Sequence, residues 1–212
     1  MVLRKWWSRL FPYQSLRTRS RNRRFRPRLE PLEDRTLLAG NLLFDPATGE
    51  VVIRGDAGDN SMRQTLGPDG FLEVTLDGQL HSSNPASPLF DQALAGATGS
   101  ALAGIRFGGG GGNDTLILGS QNLSGSLAVS ALDAVVVTEE VAVAGQLAIR
   151  ARTITVSGTL GGDAVALTGT GWVTVEAGGA VAAGQEAWGG RIDIAGGVFV
   201  NSGRLHADGL VG

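Results

Sequence analysis

Residues 127–156 read LAVSALDAVVVTEEVAVAGQLAIRARTITV, and this stretch decides the fold that we expect for the chain. Short units of the form apolar-x-apolar follow one another here, for example at 127–129, 135–137 and 141–143. Alternation of this kind has the period of a β-strand. Each unit is too short to bury its apolar face alone, so we expect successive units to stack on one another.

The units recur down the chain in three series of aliphatic residues. The series are Leu127, Leu147, Val165 and Ile192; Val135, Ile154, Val173 and Val198; and Val141, Leu160, Val181 and Leu205. A spacing near 19 residues that carries three short strands predicts a solenoid. The predicted fold class is therefore all-β, a right-handed parallel β-helix with three sides. An antiparallel sandwich is disfavoured, because it needs longer strands with turns every 8–12 residues.

Glycines separate the units, at Gly145, Gly158, Gly169, Gly178 and Gly203. Glycine adopts positive φ without steric cost. We therefore expect these five residues to turn the corners of the solenoid in left-handed conformations.

Charge divides the 212 residues into two parts. Residues 1–35 contain 11 of the 18 Lys and Arg residues but only three acids, whereas residues 36–212 contain seven basic and 17 acidic residues. This asymmetry predicts a basic arm on a separately folded body. Cysteine is absent, which excludes disulfides and thiolate metal sites.

The basic arm begins with a short amphipathic pattern that includes Trp6 and Trp7 and is stopped by Pro12. The arginine run at 17–28 is expected to be disordered on its own. We predict a disordered or short-helical arm whose residues 1–28 contact the envelope or an anionic membrane surface. Nucleic acid is not an expected partner, because the body is acidic and no recognition fold accompanies the arm.

A leucine-rich acidic phrase, RLEPLEDRTLLAG at 28–40, ends the arm. It resembles the LEPR-x-LL motif found near the start of large, repetitive bacterial surface proteins, although Asp34 stands where that motif has proline. The residues that carry the resemblance are Leu32, Glu33, Arg35, Leu37 and Leu38. The resemblance implies an export- or envelope-associated leader before a β-rich body, and it implies no catalysis.

The last stretch, GGRIDIAGGVFVNSGRLHADGLVG at 189–212, resembles the repeats of filamentous haemagglutinin-type adhesins. A G-G-x-I-x-I unit is followed by V-x-N-x-G-x-L-x-A-x-G. The residues that this family shares are structural, so the resemblance implies no active site. We expect coils over 120–212. A solenoid needs a capping element over its last coil and none follows, a pattern that a fragment or a truncated reading frame would give.

The middle segment, 41–119, is expected to form a β-rich unit or cap. Its residues 109–117, GGGGNDTLI, fit the calcium-binding nonapeptide of RTX-type repeats, and GDAGDNSM at 55–62 is a degraded copy. Asp114 would be the calcium ligand. A tight structural turn is the favoured interpretation, because a calcium ion needs more oxygen ligands than one copy supplies. No cofactor is otherwise expected.

The function predicted from these features is that of a non-enzymatic, secreted or surface-exposed repeat protein, either adhesin-like or a structural scaffold. Its expected location is extracellular or at the bacterial cell surface, and its expected partner is a cell-surface glycan or a protein receptor. One alternative is a polysaccharide lyase or hydrolase, for which Arg150, Arg152 and Asp163 would form the catalytic cluster. A second alternative is a calcium-stabilised RTX-like surface module.

Overall fold

The computed structural model describes residues 41–108, 111–184 and 190–207. The basic arm and the LEPR-x-LL-like motif lie outside these residues, so the expectations for them remain predictions. The described residues form one compact unit. No helix in the described ranges has both the length and the apolar character needed to cross a membrane.

The described residues form 17 strands and one short 3₁₀ helix, Gln92–Leu94. The strands in chain order are β1 (Asn41–Asp45), β2 (Glu50–Arg54), β3 (Ser61–Leu66), β4 (Leu72–Leu76), β5 (Gln79–Ser82), β6 (Gly104–Gly108), β7 (Thr115–Leu118), β8 (Gln121–Leu123), β9 (Leu127–Ala131), β10 (Ala134–Val137), β11 (Glu140–Val143), β12 (Gln146–Val156), β13 (Thr159–Gly162), β14 (Ala164–Val175), β15 (Ala180–Ala183), β16 (Arg191–Asn201) and β17 (Arg204–Ala207).

These strands pair into two sheets. The larger has 12 strands in the order β1-β2-β6-β9-β12-β10-β7-β3-β4-β5, with β14 beside β12 and β16 beside β14. The smaller has five, in the order β17-β15-β13-β11-β8, and is entirely parallel. The larger is mixed, because β1 is antiparallel to β2, and β4 is antiparallel to both β3 and β5.

The predicted right-handed, three-sided parallel β-helix is wrong as the fold class. The described residues are all-β apart from one 3₁₀ turn, but their strands form one curled mixed sheet and a second smaller sheet. One reason is strand length: β12, β14 and β16 each run without a break through positions that were expected to form two separate sides. Residues 146–156 contain neither glycine nor proline, and in β14 Gly169 and Gly171 border a bulge that bends the strand without ending the ladder.

The hairpins of residues 41–82 are the other reason for the difference. Tight turns connect these strands, which permits antiparallel pairing without a crossover. The hairpins join the same large sheet, because β2 pairs with β6 and β3 pairs with β7, both in parallel.

Several neighbours predicted from the spacing are confirmed at the level of single residues. Leu147 lies opposite both Leu127 and Val165, and Val165 lies opposite Ile192. The predicted partner of Val173 on the last strand was wrong by one residue. Val173 lies opposite Phe199 and not Val198, because the bulge in β14 reduces the offset between the two strands from 27 to 26 residues, whereas the predicted pair needs an offset of 25.

Apolar side chains that alternate along the strands form one core between the sheets. In β12, for example, Leu147, Ile149 and Ile154 are buried. The residues directly before and after each of these three are exposed or half-buried. The alternation follows from the pleat, which sends successive side chains to opposite faces.

The predicted role of the corner glycines is wrong. None of the five has positive φ; the described glycines that do are Gly49, Gly70, Gly78, Gly96, Gly112 and Gly184. At Gly158, a Cβ would lie less than 3.0 Å from the backbone N, C and O atoms of Glu139, and at Gly203 it would lie as close to the carbonyl oxygen of Gly179. Glycine is needed here because the backbones of neighbouring turns approach too closely for a side chain.

The last described strands carry apolar residues that are only partly covered. Phe199 and Leu205 are 44% and 40% exposed, whereas Val173 and Val181, which lie opposite them on the preceding strands, are fully buried. The rows of apolar side chains that form the core therefore continue onto the edge strands β16 and β17. On these two strands the apolar side chains are only partly buried.

Candidate functional site

A groove of about 480 Å³ lies where β6 and β9 end and where β12 and β14 bend. Its lining includes three arginines and two hydroxyl side chains, namely Arg106, Arg150, Arg152, Ser130 and Thr170. The body of the protein is acidic and has only seven basic residues after residue 35. Three of those seven lie in this one groove, which makes it the main concentration of positive charge among the described residues.

The strand register places arginine and hydroxyl side chains in a single row. Arg106 lies opposite Ser130, Ser130 lies opposite Arg150, and Arg150 lies opposite Thr168, on the successive strands β6, β9, β12 and β14. Residues opposite each other in a sheet share one face. The row faces outward, because the next residues along β9, β12 and β14 toward the N-terminus (Val129, Ile149 and Leu167) are buried.

A β-bulge shapes the end of the groove. Ala151 pairs with Gly169 and Thr153 pairs with Trp172, so Arg152 faces two residues of β14, Thr170 and Gly171. A bulge bends the strand and re-aims the side chains beside it. Gly171 is suited to this position, because a Cβ there would lie 3.1 Å from the carbonyl oxygen of Arg152. The bulge thus brings Arg152 and Thr170 to the groove beside the row.

Two of the three arginines are held by carboxylates at the margin of the groove. Arg106 Nη2 lies 2.9 Å from Glu50 Oε1, and Arg152 Nη2 lies 3.1 Å from Asp133 Oδ1. These acids are mostly buried, whereas the arginine side chains are 62% and 54% exposed. Exposed pairs of this kind add little stability. Their effect is to orient the guanidinium groups, each of which has five N–H donors. Arg152 Nη2 also donates to Asn113 Oδ1 at 3.3 Å.

Arg150 differs from its two neighbours. It is exposed, and no carboxylate in the described parts of the chain forms an ion pair with it. Its charge is therefore the least compensated of the three in the groove.

The catalytic cluster expected for a lyase is not assembled. Arg150 and Arg152 do lie together, but Asp163 precedes β14 and its backbone N–H donates to the carbonyl oxygen of Gly145. Thr168 lies opposite Arg150, so Asp163 is five residues away along the strand, or about 16 Å. The carboxylate near Arg152 is instead that of Asp133.

Trp172 adds an exposed aromatic surface near the groove. It lies two residues beyond Thr170 on β14, and it is 53% exposed. Val173 beside it is fully buried, so the indole is on the solvent face of the sheet. Exposed indoles combine a large apolar face with one N–H donor, as many ligand-binding surfaces do.

The two glycine-rich turns that resemble RTX repeats lie against each other. Asn60 N donates to Asp114 Oδ1 at 3.0 Å, and Asn113 N donates to Asp59 Oδ1 at 2.8 Å. Asp114 is buried, and its own backbone N–H lies 3.3 Å from Asp133 Oδ2. Asp114 thus ties one turn to the next, and in the ranges that the structure describes no group of three or more acidic or histidine side chains converges as a metal-binding set.

Asp56 belongs to the same pair of turns. Its pKa lies below the ordinary value of 3.8, first because the Gly58 backbone N–H donates to its carboxylate and second because the Asn60 side chain does. A lowered pKa in the folded state means that the ionised carboxylate stabilises the fold above the ordinary pKa. This contribution is lost as the pH falls through the folded value.

Calcium is expected to leave the melting temperature of the protein unchanged. One oxygen of each carboxylate that could bind the ion, Oδ1 of Asp56, Asp59 and Asp114, already accepts a hydrogen bond from a backbone N–H group. Thermal unfolding followed by circular dichroism in millimolar Ca²⁺ and in excess chelator tests this. A melting temperature that rises in Ca²⁺, with a rise that Asp114→Asn abolishes, would instead support the calcium-stabilised module.

The chain was compared with known proteins at three levels. No model of a known protein family matches it, no curated protein matches it, and no solved structure matches it. The resemblances of residues 28–40 and 189–212 therefore stay predictions, and the chemistry of the groove rests on its own geometry.

Proposed function

We propose that this protein is a non-enzymatic, adhesin-like scaffold that binds an anionic glycan in the arginine groove. The observation that carries the proposal is the convergence of Arg106, Arg150 and Arg152 on one outward-facing groove of an otherwise acidic body. Arginine suits this role, because its planar fork of donors matches a carboxylate or a sulfate. The hydroxyls of Ser130 and Thr170 and the exposed ring of Trp172 supply the contacts that sugars require.

Binding without catalysis fits the composition of the groove. Its described lining contains neither a carboxylate nor a histidine, and the two nearby acids, Glu50 and Asp133, are engaged with arginines. A glycosidase of the usual type needs two carboxyl groups across the scissile bond. The described lining therefore lacks the carboxyl pair of a hydrolase. The lyase alternative, for which a carboxylate beside an arginine is required, stays a prediction.

An extracellular or cell-surface location is part of this proposal. It is supported by the resemblance of residues 28–40 to the leader motif of bacterial surface proteins. A glycan-binding groove has its ligand at hand in that location. Fractionation of cells that express the tagged full chain tests it, and recovery in the cytosol alone would contradict it.

The double substitution Arg150→Gln/Arg152→Gln is expected to weaken binding to acidic polysaccharide about tenfold or more, because it removes two charge-assisted contacts. Binding of the full chain to immobilised hyaluronan and to immobilised β-1,4-linked polyglucuronate can be measured by interferometry, with a neutral β-glucan as the reference. Binding should also weaken as salt is raised.

The matched control is Arg204→Gln, which removes one exposed charge on the smaller sheet, outside the groove. It should change the affinity less than twofold. If the control weakens binding as much as the groove variant, or if neither acidic polymer binds the unmodified chain, the proposed function is wrong.

A further inference from the structure

We infer that the ligand of the groove is an acidic polysaccharide in which charged and neutral sugars alternate, lying across the strands with one ring over each strand. The inference rests on the proposed function. It adds the class of glycan and the direction in which the polysaccharide crosses the strands. It is drawn from the row of Arg106, Ser130, Arg150 and Thr168, in which a cation and a hydroxyl alternate from strand to strand.

The spacing of the row matches that of a polysaccharide. Neighbouring strands lie about 4.8 Å apart, so Arg106 and Arg150, two strands apart, are separated by about 10 Å at the backbone. A pyranose ring in an extended β-linked chain covers about one strand spacing, and a disaccharide covers two. An acid on every second ring would therefore meet an arginine, and the ring between would meet Ser130.

The sheet surface beside the row leaves room for the sugar rings. Two positions toward the N-terminus on the same strands lie Gly104, Ala128, Ala148 and Ala166, which are opposite one another in the register. They lie on the same face of the sheet as the row, because every second side chain along a strand points to the same face. Ala128 and Ala148 are exposed and leave room for a ring, whereas Gly104 is buried beneath the Glu50 side chain. Leu132 and Arg152 line the groove on the other flank.

A polymer with a carboxylate on every ring fits the row less well. Every second carboxylate would lie over Ser130 or Thr168, where no described side chain of the row carries positive charge. Attraction by charge alone would favour the more highly charged polymer. A preference for the less charged, alternating polymer is therefore a signature of the row and not of general electrostatics.

The experiment compares hyaluronan, which has one carboxylate per disaccharide, with β-1,4-linked polyglucuronate, which has one on every ring. Both are used at equal chain length and equal ionic strength, with the full chain. We expect hyaluronan to bind at least about fivefold more tightly per disaccharide, a ratio that one well-placed contact can supply.

The substitution Ser130→Arg tests the alternation directly. It places a cation on the strand between the two arginines, so the preference should shift toward polyglucuronate by about fivefold or more. The control is Ser124→Arg, which adds the same charge at an exposed turn position outside the row. The control should raise the affinity for both polymers by a similar, small factor and leave their ratio unchanged.

The outcomes separate the two proposals. If polyglucuronate binds the unmodified chain as tightly as hyaluronan does, or if Ser130→Arg leaves the ratio unchanged while the protein remains folded, the alternating ligand is overturned and the glycan-binding function stands. If neither polymer binds, both proposals fail. Circular dichroism spectra that match those of the unmodified chain show that each variant is folded.

Discussion

Leu147→Ala is expected to lower the free energy of unfolding by about 3 kcal/mol, the middle of the range for a leucine truncated in a packed core. Leu147 is 1% exposed and lies between Leu127 and Val165, its neighbours on the adjacent strands. Truncation removes the contacts of its isobutyl group with both. The flanking strands cannot close the resulting cavity, because their backbones are held at the spacing of the sheet.

The matched control for this truncation is Leu132→Ala. Leu132 has the same side chain but is 65% exposed at the rim of the groove. Its loss should cost less than about 0.5 kcal/mol, as for most surface substitutions. Urea unfolding followed by circular dichroism measures both variants. Equal losses at the two positions would contradict the placement of Leu147 inside the stacked core.

Gly158→Ala is expected to cost about 3 kcal/mol, the upper part of the range for overpacking, although alanine adds only one methyl group. The added Cβ would lie less than 3.0 Å from three backbone atoms of Glu139. The carbonyl oxygen of Glu139 accepts the backbone N–H of Thr159, and Gly158 N donates to the Val137 carbonyl oxygen. The backbone therefore cannot move away without losing hydrogen bonds that the two turns share.

Gly125→Ala is the control for the added methyl group. No atom lies within 4 Å of its expected Cβ position. Because alanine narrows the unfolded ensemble, this variant should be unchanged or more stable by up to about 1 kcal/mol. Thermal and urea unfolding of the pair measures the difference. If Gly158→Ala is as stable as Gly125→Ala, the close approach of the two turns is refuted.

Local patterning predicted much of what the structure shows in residues 120–207. Alternation identified the strands, and the series Leu127, Leu147 and Val165 identified neighbours that lie opposite one another. Moving three positions along the same series leads to Ser130, Arg150 and Thr168, so most of the arginine row could have been found from the spacing. In a parallel ladder, residues at the same distance along two paired strands lie opposite each other. The row can therefore be found from the sequence once one set of opposite residues is known.

Arg106 could not be found in this way. The spacing of 41–119 is irregular, and nothing local shows that β6 pairs with β9. Pairing between strands that are distant in sequence depends on how the hairpins of 41–82 join the sheet. That arrangement is a property of the whole fold.

The sequence by itself determined that the described part of the body is all-β and which aliphatic residues face the core, because these features follow from the period of the strands. It also determined that most of the basic residues precede an acidic body, because this follows from composition. Only the tertiary structure decided that two expected sides merge into one curled mixed sheet, because continuous strands carry their hydrogen bonds through the corner. It also decided why position 158 requires glycine. The short distance from a Cβ at this position to the backbone of Glu139 excludes a side chain, and positive φ is not the reason. Close approach between turns is a distance across space, and no local pattern encodes it.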